Sequence, residues 1–218
     1  MSKGAAQAVA AIVPLALLLG ACDTTREALK ARIEISTPTC ATAPDLNGAT
    51  AFAAPKDKDG VLTATIRFGD AAPCLADAAG RKSAYAVLAL PPSDQPKIVT
   101  VTSYAMGQTI LSPRLELRDE KGAPTRTVGR EAFMFSGTSL QTQLRQRPGE
   151  RYLVIVSDSA TVGQNVEQIQ SIRNTTGVMA GGVYVPINTG AEAKAQLVFA
   201  HNGEVTTTVA PLPKADTK

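Results

Sequence analysis

The chain lacks tryptophan, and among its 218 residues it has one histidine (His201) and three cysteines. Its aromatics, five Phe and four Tyr, make up only 4% of the residues. A metal cage or a His-based catalytic apparatus therefore has little to draw on, and a ligand site built from stacked rings has few platforms. Charge of one sign is lacking too. Lys+Arg number 22 against 19 Asp+Glu, a formal +3 that is far short of the basic excess by which proteins grip phosphate backbones, so nucleic acid is excluded as a partner. No apolar run reaches the roughly 20 unbroken residues that a bilayer-crossing helix needs. With 44% hydrophobic and 19% charged residues, the chain can bury a core and is not disordered along most of its length.

Catalytic and binding signatures are equally sparse. No G-x-S-x-G elbow occurs, and His201, one residue before Asn202-Gly203, reads as a surface residue beside a turn. The stretch Asp57-Lys58-Asp59-Gly60 imitates the start of a calcium loop, but a later ligand position falls on Ile66, which cannot bind a hard cation. Gly181-Gly182 has neither the Lys nor the helix of a phosphate-cradling loop. Asp119 and Glu120 stand in a turn, and Arg145, Arg147 and Arg151 flank the Pro148 turn, as wet sheet ends do. These absences imply no cofactor, no metal and no enzymatic activity.

What is present begins at the N-terminus. Lys3 precedes an apolar run from Ala5 to Leu19, interrupted by Gln7 and Pro14, and Leu19-Gly20-Ala21-Cys22 follows. A basic start, a short apolar stretch and small residues before a cleavage point make a secretory signal (1–21) rather than a span. The last four residues resemble the lipobox of bacterial lipoproteins. That resemblance implies cleavage before Cys22, acylation of its thiol with diacylglycerol and palmitate-type chains, and attachment to a membrane on the periplasmic side of the envelope. Two or more chains hold durably where one is marginal. Asp23 after the lipidated Cys resembles the signal for retention in the inner membrane. Cys40 and Cys74 each follow a Pro-containing turn, and in an oxidising compartment such a pair is bridged, with two free thiols or a redox pair as the competing readings; no C-x-x-C occurs.

Residues 23–35 permit a short helix or the beginning of a tether, and residues 22–60 as a whole read as a lipidated linker rich in Pro, Ala, Thr and Gly. Beyond Gly60 the hydrophobic period becomes two. Strands are expected at 61–68, 83–90, 97–104, 114–120, 125–128, 132–135, 139–147, 151–157 and 182–187. A short helix is expected at 163–173, where Val162, Val166 and Ile169 recur at helical spacing. A closing hairpin at 195–210 is expected to turn on Asn202-Gly203 with positive φ angles. The fold class is thus all-β: one antiparallel β-sandwich or jelly-roll-like domain over 61–210, one short helix in a late connection, and a frayed tail at 211–218.

Within 84–157 a string of features is similar to the maltose-operon periplasmic protein family. It comprises Thr100-Val101-Thr102-Ser103, an aliphatic strand from Pro113 to Asp119 with Pro124 after it, Phe133-Met134-Phe135, and the Pro148 turn leading into Tyr152-Leu153-Val154. The chain departs from that family in carrying a lipobox and in stopping soon after the last expected hairpin. The resemblance implies an envelope protein associated with maltose or maltodextrin uptake, with a maltodextrin or a sugar-uptake protein as partner, and it implies no reaction. For sugar contact, Tyr104 and Tyr184, each at a strand end, are the candidate aromatic platforms. A docking module for a protein or cell-wall partner is the alternative.

Overall fold

The computed structural model describes residues 33–37, 39–55, 59–92, 95–180 and 183–212, and their side chains except over 168–195. The possible helix or tether at 23–32, most of the Asp57-Lys58-Asp59 stretch, Cys22 and the tail beyond 212 lie outside these residues. The described chain is an all-β sandwich. Its strands are β1 (Leu62–Phe68), β2 (Cys74–Ala76), β3 (Lys82–Ala89), β4 (Lys97–Met106), β5 (Thr109–Leu111), β6 (Pro113–Asp119), β7 (Pro124–Val128), β8 (Met134–Ser136), β9 (Ser139–Arg145), β10 (Glu150–Ser157), β11 (Asn165–Ala180), β12 (Val183–Ala200) and β13 (Gly203–Pro211).

The smaller sheet has the order β2-β3-β10-β6-β7. In the larger one β1-β13-β4 lie side by side, β9 and then β8 continue beyond β4, and β5 turns back from the end of β4 to take β12, which takes β11. Pairing is antiparallel except where β12 meets β5. The alternation of the sequence decides which side chains go inside. Leu115 and Leu117 of β6, Leu153 and Ile155 of β10, Val99 and Val101 of β4, Leu140 of β9 and Val205 of β13 are fully buried in one core between the sheets. Their neighbours Arg114, Glu116, Thr100, Thr102 and Gln141 point the other way and stay partly exposed.

Within the expected linker, residues 39–55 pack against the folded body. Ala41 bridges Leu75, Thr50 bridges Leu88 and Ala53 bridges Thr63, so the chain crosses from the edge of the smaller sheet to β1 at the edge of the larger. Leu46 and Ala49 pack on Tyr85, Val87, Val154 and Val156, closing much of the outward face of the smaller sheet.

Two local expectations fail. Residues 163–173 are not a helix: Asn165 opens β11, paired residue for residue with β12 from Asn165↔Val198 to Ala180↔Val183. The helical spacing of Val166 and Ile169 is outweighed because β-branched Val and Ile suit an extended chain and β12 offers a partner for every backbone group. The second failure is the hairpin at 195–210. β12 and β13 do not pair, since β4 and β5 stand between them. Neither Asn202 nor Gly203 has positive φ. Glycine is needed at 203 for another reason: a Cβ there would lie 2.8 Å from Leu111 Cβ and 3.2 Å from Leu111 N. Turns where positive φ does occur include Gly122 and Gly149, in the two loops the sequence marks by Pro and Asp.

Candidate functional site

Cys40 and Cys74 are joined in a disulfide, their Cα atoms 4.8 Å apart. The bond fixes the N-terminal segment where Ala41 N–H donates to the Cys74 carbonyl and Ala76 N–H to the Ala41 carbonyl, both at 2.9 Å. Tyr104 lies near the end of β4 with 42% of its surface exposed. Tyr184 lies on β12 opposite Met179, and its side chain is outside the described residues. Near its other end β12 meets β5 at Val198, close to where β4 turns back, and about 45 Å of extended strand separates Tyr184 from Val198 at roughly 3.3 Å per residue.

Tyr104 does have a context, and it is the outward face of the larger sheet. Three strands spell Thr-x-Thr: Thr63 and Thr65 in β1, Thr100 and Thr102 in β4, Thr206 and Thr208 in β13. Register aligns them. One row runs Thr63↔Thr208↔Thr100↔Gln143, and the next runs Thr65↔Thr206↔Thr102↔Gln141. A third row carries Arg67↔Glu204↔Tyr104↔Ser139. Its only charges are spent on each other, Arg67 Nε donating to Glu204 Oε2 at 2.7 Å. Thr65 and Thr206 hydroxyls are hydrogen-bonded at 3.0 Å. Each hydroxyl can donate once and accept twice, so that contact leaves both with capacity for an outside group. Sequence reading finds each Thr-x-Thr but not the rows, because β1 and β13 come from opposite ends of the body.

Two recesses lie elsewhere. One, of about 770 Å³, sits where β1 and β3 approach, between Asp45–Thr50 and the loop Gly69–Pro73. Its polar groups are largely engaged: Tyr85 Oη accepts the Asp45 N–H at 3.1 Å, and Asp70 Oδ1 accepts from Asn202 Nδ2 at 3.1 Å. The other, of about 210 Å³, is ringed by Arg81, Arg114, Arg118, Asp77, Glu116 and Asp158 on the smaller sheet. There Arg118 Nη2 donates to Glu116 Oε2 at 2.8 Å and Arg81 Nε to Asp77 Oδ2 at 2.7 Å, so charge is matched within the ring. Hydrogen bonds from the Arg81 backbone and side chain hold the exposed Asp77 carboxyl below its ordinary range.

His201 is not a surface residue beside a turn. It is 5% exposed, and burial pushes its imidazole down to about 4. Ser157 Oγ, fully buried at the end of β10, accepts the Ala84 N–H at 2.8 Å and is hydrogen-bonded to His201 Nδ1 at 2.7 Å. The sequence misleads here because Asn202-Gly203 looks like a hairpin turn, whereas the chain at 200–203 crosses the end of the sandwich. The pair ties the two sheets together and has no exposed oxygen to offer a substrate. Glu150 makes a similar tie. It is 1% exposed, takes Arg126 Nε and Nη2 at 2.8 and 3.0 Å, and also accepts the Arg147 N–H at 2.7 Å, while Arg126 Nη2 reaches the Arg145 carbonyl in the other sheet. Among the described residues, no group of three or more His, Cys, Asp or Glu is placed to hold a metal ion.

No protein-family model matches this chain, and no curated protein matches it.

Proposed function

We propose that the protein is an exported, lipid-anchored component of the bacterial envelope that serves maltodextrin uptake as a non-enzymatic accessory. The signal-like N-terminus ending in Cys22 supports the location, and so does the Cys40–Cys74 bond, which suits an oxidising compartment. The strand-and-turn string over 84–157 supports the link to sugar uptake. The observation that carries the reading is Tyr104, a large ring left 42% exposed beside two rows of Thr and Gln, with the paired Arg67 and Glu204 in its own row and exposed Met134 next to Gln141. An open ring offers its face to the C–H side of a pyranose, and the neighbouring hydroxyls suit its rim.

The test is thermal unfolding of the full chain, held in a non-glycoside detergent, against maltose through maltoheptaose at millimolar concentration. A ligand at a hundred times its Kd stabilises by about 2.7 kcal/mol, which raises Tm by several degrees at most in a domain of this size. A rise that grows with chain length is expected, and a flat series would sink the reading. The location is tested separately by Cys22→Ser, which is expected to move the protein from the membrane to the soluble fraction.

The second reading, a docking module, draws on β11 and β12. Beyond the short contact of Val198–Ala200 with β5, the strand partner of each is the other. A two-stranded ribbon of that length is marginal in water and gains from a partner.

A further inference from the structure

Exposed faces of soluble sheets are normally sprinkled with Lys and Glu, which keep other molecules off. The smaller sheet obeys that habit with Arg114, Glu116 and Arg118. The larger sheet does not. Across β1, β13, β4 and β9 its two central rows consist of Thr and Gln alone, and the only charges in the third are the mutually paired Arg67 and Glu204. Arg145, opposite Ile98, stands at the border. At strand spacings of about 4.8 Å and two-residue steps of about 6.8 Å, the three rows form a patch roughly 14 Å by 14 Å.

Such a face is poorly suited to an anionic polymer or headgroup, because the one cation in its three rows, Arg67, is paired with Glu204 and Arg145 stands only at the border. It is poorly suited to an apolar partner, because burying this many hydroxyls without hydrogen bonds is costly. What fits is an uncharged ligand bearing many hydroxyls of its own. Threonine is also a stiff side chain: its branched Cβ restricts χ1, so ordering it on binding costs less entropy than ordering Lys, Arg or Gln. The rows are therefore largely preorganised.

Resting on the carbohydrate reading above, we infer that this face, centred on Thr65, Thr206, Thr102 and Gln141 with Tyr104 along one edge, binds an uncharged glucan chain of several rings. The chain crosses the strands, its hydroxyls meeting the threonine rows and one ring resting on Tyr104. The patch is too wide for a single ring to fill, so affinity grows with chain length until the rows are covered.

The deciding experiment is calorimetric titration of the full chain with maltoheptaose, in the same detergent, for wild type and three variants. Thr102→Val/Thr206→Val removes two hydroxyls while keeping shape and strand preference. Tyr104→Ala removes the ring, and Asp70→Asn alters the recess between β1 and β3. Thermal unfolding of each variant without sugar confirms that it is folded. The expected result is a Kd weakened about tenfold or more in the first two and unchanged in the third. Binding that survives in the first two, or is lost only in the recess variant, overturns the inference and leaves the sugar reading standing. A wild type that takes up no maltoheptaose overturns both.

Discussion

His201 and Ser157 show how one buried pair can make the whole fold sensitive to acid. The imidazole titrates near 6.5 when unfolded and is pushed down to about 4 by burial, so the unfolded chain binds the extra proton first. Its contribution is fully present above about pH 6.5 and is lost as pH falls toward 4, amounting to about 2–3 kcal/mol over that window. Urea midpoints measured at pH 7 and pH 4.5 should therefore fall steeply for the wild type. They should fall much less for His201→Asn, whose amide can still hydrogen-bond Ser157 but cannot take up a proton. Equal slopes would assign the acid sensitivity to other groups. At this scale the sequence was unevenly legible. Cys40 and Cys74 could be paired because export and Pro-containing turns point the same way, and Tyr104 at a strand end was found exposed. His201 was misread because turn propensity is local, whereas its burial comes from the sandwich end closing over it. The threonine rows were illegible for a related reason. Each Thr-x-Thr is visible as a string, but only the pairing of β1 with β13 and of β13 with β4 makes them a surface.

Strands were the most legible elements. Seven-residue β1 and eight-residue β10 coincide with expected runs to within a residue, because strict alternation over a half-buried face leaves little freedom of register. The elements misjudged are β11, where the helical spacing of Val and Ile is overridden by pairing with the next strand along the chain, and the closing hairpin, since β12 and β13 do not pair. The ribbon of β11 and β12 now permits a sharp expectation. Only Val198–Ala200 of β12 pairs with another strand of the sheet, and Leu197 and Phe199 are core residues at the same end. Replacing residues 170–193 by an Asn-Gly turn should thus leave a cooperatively folded body whose Tm, followed by circular dichroism, shifts by only a few degrees. A chain that no longer unfolds cooperatively would mean that the ribbon is integral to the body. If the truncated protein keeps sugar-dependent stabilisation, the docking role of the ribbon and the carbohydrate role of the sheet separate cleanly.

At the scale of the whole molecule, the two outward sheet faces have opposite fates. The N-terminal segment covers the apolar patch of the smaller sheet through Leu46 and Ala49, while the larger sheet is left open with its hydroxyl rows. The segment must be held to do this, and the bond between Cys40 and Cys74, separated by 34 positions, holds it. On the chain-entropy account such closure stabilises by about 3–4 kcal/mol. The bond also has a mechanical consequence. With the proposed N-terminal anchor, the protein would be pulled whenever a partner on its body moved away from the membrane. Tension entering at Cys40 passes directly through sulfur to Cys74, so everything between them, β1 included, hangs slack in a side loop. The sheet edge formed by β1 and β13 cannot then be peeled open from the N-terminal side, as it could be in the reduced chain. Stretching single molecules between their ends should reveal the hidden length: the fully extended chain gains about 110 Å on reduction, 34 steps of roughly 3.4 Å less the 4.8 Å between Cα atoms that the bond already spans. Identical lengths with and without reductant would show that the shortcut is not there. With it, the same covalent link that fastens a cover over one face also decides which strand yields first when the N-terminus is pulled.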